Sequence, residues 1–400
     1  MNNIKMKILR QAKKMAVRIF RSLYRLTYKH IKVDEKTVVF IAFHGRGYTC
    51  NPKYLHLQML KENYFDDYRF IWALKRPHDF ELGRTKKVRY NSLRYFYYMA
   101  KAKYWIVNCK LPKHILKKPD QVYLQTWHGT PLKRLAHDIV VAENQTFYRS
   151  GMSREEMYNT YDDDVSKYNY MIAPNQFSYE VFQSAFQIDA KRLIKTGYPR
   201  NDYLSNLNED TIEQLKQQYH LPKDKKIILY APTWRDNSYN AKGYTFELKA
   251  DFHLWKEKLG SEYIVIFKPH YLIINKYEND EGLKDFIINI AADADINELY
   301  ALSDILVTDY SSVFFDYANL NRPIYFYMFD IEAYAKELRG FYFDIYETLP
   351  GDIIANEVDL LDKIKVMDYN YDRLKKFNER FNAWQDGHAS DKVLDIVFKR

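Results

Sequence analysis

The chain has 400 residues, enough for two or three domains of about 150 residues each. Its 12 glycines and 12 prolines against 37 tyrosines and 24 phenylalanines exclude disordered, low-complexity and collagen-like classes, and the two distant cysteines, Cys50 and Cys109, exclude a disulfide framework or a cysteine-based metal site and fit a reducing compartment. The formal net charge of +9 belongs to the amino terminus: of 61 Lys and Arg residues, ten lie in residues 1–32, where no acid occurs, and the other 51 face 52 acids, so the body carries no basic signature for nucleic acid.

Between those terminal charges, Ile4, Ile8, Met15, Ile19, Phe20, Leu23 and Leu26 recur at helical spacing, with Tyr24 and Tyr28 at the far end. Residues 1–32 therefore predict a basic amphipathic helix lying on an anionic membrane surface, where each basic residue contributes about 1 kcal/mol. Arg18 and Arg21 interrupt the apolar runs, which excludes a signal peptide or a spanning helix here.

A first domain is expected over 33–205. Thr37–Phe43 reads as a strand entering His44-Gly45-Arg46-Gly47, followed by a helix from Asn51 to Leu60, a strand at 68–74, a helical pattern at 93–102 and a strand at 104–107. Strands alternating with helices predict an α/β fold with a mostly parallel sheet whose ligands gather at the carboxyl ends of the strands. Val122–Thr126 forms a further strand running straight into Trp127-His128-Gly129-Thr130-Pro131. That puts His128 at a strand end beside a glycine, where an imidazole suits general-base chemistry on a hydroxyl. Lys133 and Arg134 add positive charge for an anionic acceptor, and His137 and Asp138 rank behind His128. The acidic run Asp162-Asp163-Asp164 is read as a solvated face rather than a metal site. Strands at 170–174 and from Ile194 precede the turn Gly197-Tyr198-Pro199-Arg200-Asn201-Asp202, whose arginine is a candidate phosphate contact, and a polar helix at 209–219.

A second domain, 206–375, repeats the logic. Strand 226–232 ends at Thr233-Trp234-Arg235-Asp236, strand 263–267 at Lys268-Pro269-His270, and strand 305–307 at Thr308-Asp309-Tyr310-Ser311-Ser312. The two serines stand where a helix N-cap belongs, so free N–H groups and hydroxyls are expected to seat a phosphate there. Arg235 can grip phosphate oxygens bidentately, and His270 can stabilise charge or protonate a leaving group. With Arg235, His270 and the start of that helix to neutralise the phosphates, no metal is expected. Residues 376–400 form a closing helical segment containing Asp386-Gly387-His388-Ala389-Ser390.

These motifs stand in the order seen in the CDP-glycerol glycerophosphotransferase family of teichoic acid primases and polymerases, which the chain resembles over residues 37–395. The resemblance implies two Rossmann-like domains facing across a cleft, the GT-B type, and peripheral attachment to the cytoplasmic face of the cell membrane. It implies transfer of glycerol phosphate from CDP-glycerol to an undecaprenyl-diphosphate-linked saccharide acceptor with release of CMP, without a cofactor. CDP-ribitol transfer, or a GT-B glycosyltransferase using a nucleotide sugar, is the alternative. By the same resemblance His128 and His270 are catalytic. Arg235, Lys268, Thr308, Ser311, Ser312, Asp316, Asp386 and Ser390 bind the donor, and Lys133, Arg134 and Arg200 stand on the acceptor side.

Overall fold

The computed structural model describes residues 15, 19–139, 152–233, 239–240, 243–244, 249–268, 280–291, 294–331 and 340–400. By packing, the chain separates into two compact units, residues 1–128, 159–171 and 397–399 in one and 129–158, 172–396 and 400 in the other. The division expected at 205/206 thus falls earlier. Phe177 explains the difference, because its ring meets Phe381 at 5.3 Å and Phe343 at 5.7 Å and so fastens residues 172–205 to the second unit.

β1 (Asp34–Ile41), β2 (Arg69–Leu74), β3 (Lys86–Arg89), β4 (Ala102–Val107), β5 (Val122–Gln125), β6 (Tyr170–Ala173) and β7 (Leu193–Lys195) form a sheet in the order β3-β2-β1-β4-β5-β6-β7. β8 (Lys226–Ala231) is followed by a small antiparallel pair, β9 (Tyr239–Asn240) and β10 (Gly243–Tyr244). β8 itself joins β11 (Tyr263–Phe267), β12 (Ile287–Ile288), β13 (Ile305–Thr308), β14 (Ile324–Tyr327) and β15 (Ile353–Ile354) in the order β12-β11-β8-β13-β14-β15. Every described pairing in the two large sheets is parallel. In each, the first strand lies between the second and the fourth, so the crossovers run outward in opposite directions from β1/β4 and from β8/β13. This is the doubly wound nucleotide-binding topology, whose ligands gather at the strand ends where the connections change direction.

The apolar runs explain why both faces of the second sheet are covered. Ile227 and Leu229 of β8, with Leu306 and Phe326, pack into one core with Phe314, Phe315 and Phe377, while Ile228 and Tyr230, with Val265 and Val307, pack into another with Trp255 and Leu361. Alternation along one strand feeds two cores because successive side chains leave opposite faces.

The acidic run at 162–164 divides, which corrects the expectation of a wholly solvated face. Asp163 pairs with Lys167 at 2.7 Å. Asp164, one helical step further round, is fully buried and accepts hydrogen bonds from the Tyr168 hydroxyl at 2.6 Å and the Leu111 N–H at 3.1 Å. Burial pushes its carboxyl up to about 6, against the pull of those two hydrogen bonds. The fold therefore favours the protonated acid. That stabilisation is complete below the unfolded value near 4 and is lost as pH rises through about 6. Asp164→Asn should remove this part of the pH dependence, so that urea midpoints of variant and wild type diverge in the variant's favour between about pH 4 and pH 7. Parallel midpoint curves would contradict the assignment.

Candidate functional site

In the first unit the loops after β1, β4 and β5 are tied together around His128. Thr126 donates its N–H to Val107 O at 2.8 Å, and the Asn51 side chain donates to Thr126 O at 3.2 Å and Trp127 O at 3.1 Å. Trp127 follows with φ 52°, an uncommon left-handed conformation for a tryptophan, and its ring stacks obliquely on His128 at 4.4 Å. The ring of Phe43, after β1, meets His128 edge-on at 5.5 Å. The His128 Nδ1 lies 2.7 Å from the carbonyl oxygen of Asn108, after β4. A carbonyl only accepts, so Nδ1 carries the proton and Nε2 is left with its lone pair. Asn108 is itself buried, and its Oδ1 accepts the Phe43 N–H at 2.8 Å. A half-buried imidazole held in the tautomer of a base results.

In the second unit β8 and β13 are bound at their carboxyl ends by Asp309. Its Oδ1 accepts both the N–H of Thr233 at 2.8 Å and its hydroxyl at 2.5 Å. Thr308 is buried and donates its hydroxyl to Ala231 O at 2.8 Å, so this expected donor contact is a strap between strands. Lys268, after β11, donates to Ala291 O at 3.2 Å. Ser311 and Ser312 are half-buried, and the helix after them, Val313–Tyr317, is five residues long with no side-chain cap from Ser312. The expected hydroxyl cap is thus absent, which leaves the Ser312 hydroxyl for another partner. A Cβ on Gly129 would stand 3.1 Å from that hydroxyl oxygen. A glycine at 129 is therefore what lets the chain pass beside the serine loop. Arg235 and His270 lie outside the described residues.

Asp316 is buried, and so is Arg200; Nη2 of the arginine meets Oδ2 of the aspartate at 2.5 Å, while Asn201 donates to Oδ1 at 2.8 Å. The turn is folded inward, with the Arg200 carbonyl accepting from Asn297 at 2.6 Å. The returning segment docks on the same turn. Asp202 accepts the N–H groups of Ala389 at 2.9 Å and Ser390 at 2.7 Å, capping the helix Ala389–Phe398, and Gln385 Oε1 accepts the Tyr198 N–H at 2.9 Å. Ser390 is thereby buried, and Asp386 pairs with Lys392 at 2.5 Å, which holds its carboxyl below the usual range. Lys133 forms an isolated bridge to Phe341, and the Arg134 N–H donates to Gly340 O at 3.1 Å. Asp138 accepts the Tyr342 hydroxyl at 2.7 Å, and His137 stacks on Tyr158 at 4.1 Å. Asn108, Asp202 and Asp309 are the positioning residues that sequence reasoning missed. Asp202 and Asp309 each close a polar stretch after a turn or strand, Arg200-Asn201-Asp202 and Thr308-Asp309, whereas Asn108, between the buried Val107 and Cys109, carries no local signal.

Two doubly wound parallel sheets, each with polar loops converging at its switch point, define an α/β protein of the nucleotide-binding type. The chain belongs to the CDP-glycerol:poly(glycerophosphate) glycerophosphotransferase family, whose profile matches residues 22–399. It is 40% identical over 389 residues to a teichoic acid poly(glycerol phosphate) polymerase of Staphylococcus epidermidis, covering 95% of this chain and 53% of the relative. The chain thus spans about half the length of that polymerase. A teichoic acid poly(glycerol phosphate) polymerase of Bacillus spizizenii is 41% identical, covering 98% of this chain and 99% of the relative. The solved structure of the wall teichoic acid polymerase TagF superposes with a TM-score of 0.88 at 38% identity, covering 100% of this chain and 98% of that one.

The buried Arg200–Asp316 pair makes a stability prediction. Arg200→Ala leaves a buried carboxylate facing only Asn201, so unfolding free energy should fall by about 3–5 kcal/mol. Replacing both partners by leucine should cost much less than that. Chemical denaturation of the two variants checks it, and equal losses would contradict the pairing.

Proposed function

We propose that the protein transfers glycerol phosphate from CDP-glycerol to a hydroxyl of a lipid-linked acceptor, releasing CMP, in the synthesis of teichoic acid or a related polymer. The observation that carries this reading is the hydrogen bond from His128 to the Asn108 carbonyl, which leaves Nε2 as a proton acceptor at the end of β5. The family membership and the relatives named above supply the donor and the polymer. In the proposed step the acceptor hydroxyl gives its proton to His128 Nε2 as its oxygen bonds to the β-phosphorus. The bond from that phosphorus to the bridging oxygen breaks, and CMP departs with the electron pair. Ser311, Ser312, Lys268, Arg235 and His270 serve the pyrophosphate at the ends of β8, β11 and β13. Asp316, held by Arg200 and Asn201, fixes the short helix behind the serines.

Attachment to the inner membrane surface is part of the proposal. Residues 19–27 are helical, and no described helix is long and apolar enough to cross a membrane. Ile19, Leu23 and Leu26 share one face at i, i+4, i+7 spacing and are 55%, 54% and 69% exposed. Tyr24, on another face, is buried, and Phe20 meets Phe96 at 4.6 Å, so the helix is anchored to the body while its apolar stripe stays outside. On the helical wheel Arg25 flanks that stripe, whereas Arg21 falls on the opposite face, near His114 of the body.

Two measurements test the function. Incubation with a lipid-linked disaccharide acceptor and, separately, CDP-glycerol, CDP-ribitol and a nucleotide sugar should give product mass increments from CDP-glycerol; preference for either other donor overturns the reading. His128→Ala should lower turnover by about 10²- to 10⁴-fold, the usual range for a lost general base, with CDP-glycerol affinity nearly unchanged. For the membrane, Leu23→Glu with Leu26→Glu should release the protein from vesicles rich in anionic lipid while soluble-acceptor turnover persists. Undiminished vesicle binding would remove this helix from the account.

A further inference from the structure

The transfer step above makes no use of Gln125, a fully buried amide at the carboxyl end of β5, two residues before Trp127 and three before His128. In the sheet it stands between Val107 of β4 and Met171 of β6. A buried amide is costly unless its hydrogen-bonding atoms find partners. Gln125 finds them in both loops that build the base. Its Oε1 accepts the Trp127 N–H at 3.0 Å, and its Nε2 donates to the Cys109 carbonyl oxygen at 3.3 Å and to the Tyr168 hydroxyl at 3.2 Å. The Tyr123 hydroxyl lies farther off, 3.5 Å from Nε2.

Chemistry fixes the direction of these bonds. A peptide N–H only donates and a peptide carbonyl only accepts, so the amide has one orientation: turned over, it would set oxygen against oxygen at Cys109 and N–H against N–H at Trp127. Tyr168 agrees, since its hydroxyl gives its proton to Asp164 Oδ2 at 2.6 Å and is left to accept from Gln125. The same Oδ2 accepts the Leu111 N–H at 3.1 Å. A continuous buried chain thus runs from Leu111 through Asp164, Tyr168 and Gln125 to Cys109 and Trp127, every link within the first unit. It ends beside the base contact. Cys109 follows Asn108, whose carbonyl accepts from His128 Nδ1 at 2.7 Å, and Trp127 precedes His128. The ladder between β4 and β5 closes with the Thr126 N–H on Val107 O at 2.8 Å, and past that bond the side chain of Gln125 joins residue 109 to residue 127. It also grips Trp127 by the N–H in its left-handed conformation, φ 52°, which a tryptophan keeps only where its surroundings enforce it.

We propose that Gln125 is a positioning residue for the transfer step: by joining Trp127 to Cys109 it holds the His128 ring against the Asn108 carbonyl, and Tyr168 and Asp164 hold the amide in turn. The inference rests on the transfer reading given above for the step that His128 serves, whereas the placement of the ring is read without any turnover.

Nitrogen-15 NMR of the His128 imidazole, single-turnover rates and calorimetric titration of CDP-glycerol are compared for the full chain as wild type, Gln125→Met and Tyr168→Phe. Methionine keeps the length of glutamine without its amide. Phenylalanine removes one hydroxyl and keeps the ring, so it answers the question should the first variant fold poorly. With the two loops released, the neutral ring in Gln125→Met should populate both tautomers, and turnover should fall about 10- to 100-fold, as small misplacements of a catalytic group do, with CDP-glycerol affinity within about twofold of wild type. Tyr168→Phe should move the tautomer and the rate in the same direction by a smaller factor. Ile71→Val, a buried change in β2, should lower stability and leave both unchanged. A single Nδ1-protonated tautomer with wild-type turnover in both variants overturns the assignment. So does a parallel loss of turnover and CDP-glycerol affinity, or the same tautomer shift in Ile71→Val, either of which marks general distortion. If the tautomer shifts as expected while the wild type transfers no glycerol phosphate, the transfer reading fails and the placement of His128 by Gln125 stands.

Discussion

The carbonyl of Asn108 decides what His128 can do. It accepts from Nδ1 at 2.7 Å and so commits the imidazole to one tautomer, and the rest of the first unit's strand-end architecture keeps that carbonyl in place. Asn108 continues β4, donates its N–H to Ile41 O at 3.3 Å, and through its side chain holds the Phe43 N–H. Three residues on, the Leu111 N–H is anchored to the buried Asp164. The loop is therefore fixed at both ends, and the residue that packs on the His128 ring is fixed by the same asparagine that sets its proton.

The second unit uses its polar residues in the same manner. Asp309 binds the ends of β8 and β13 to each other through Thr233, Asp316 is locked by Arg200 and Asn201, and Asp202 caps the last helix. Each of these carboxylates is buried or largely so, and each is satisfied by more than one donor, as burial of charge requires. The outcome is a scaffold of rigid turns around a few hydroxyls. Ser311 and Ser312 stay half-buried, and Ser312 makes no side-chain capping bond to the short helix behind it.

Much of this was legible in the sequence. The apolar β-branched runs at 226–231, 263–267 and 305–308 announce buried parallel strands, and the Trp-His-Gly motif puts its histidine at a strand end, where the structure has it. What escaped reading did so for physical reasons. β3, Lys86–Arg89, is an edge strand with one fully buried residue, Val88, so it has no apolar run to detect. β14, Ile324–Tyr327, is four aromatic and aliphatic residues beside a proline, too short to tell from a buried loop. Asp164 looks in sequence like Asp162 and Asp163, which are exposed and half-buried, and differs in the face of the helix it occupies. Arg200 and Asp316 lie 116 positions apart, and no local pattern pairs them.

The central claim is that His128 stands ready as a base because Asn108 holds the proton on Nδ1. Nitrogen-15 NMR of the imidazole, with His128→Gln for assignment, reads the tautomer directly. At a pH where the ring is neutral, the account predicts a protonated Nδ1 and an Nε2 shift typical of an unprotonated ring nitrogen. A protonated Nε2 with a bare Nδ1 would contradict it.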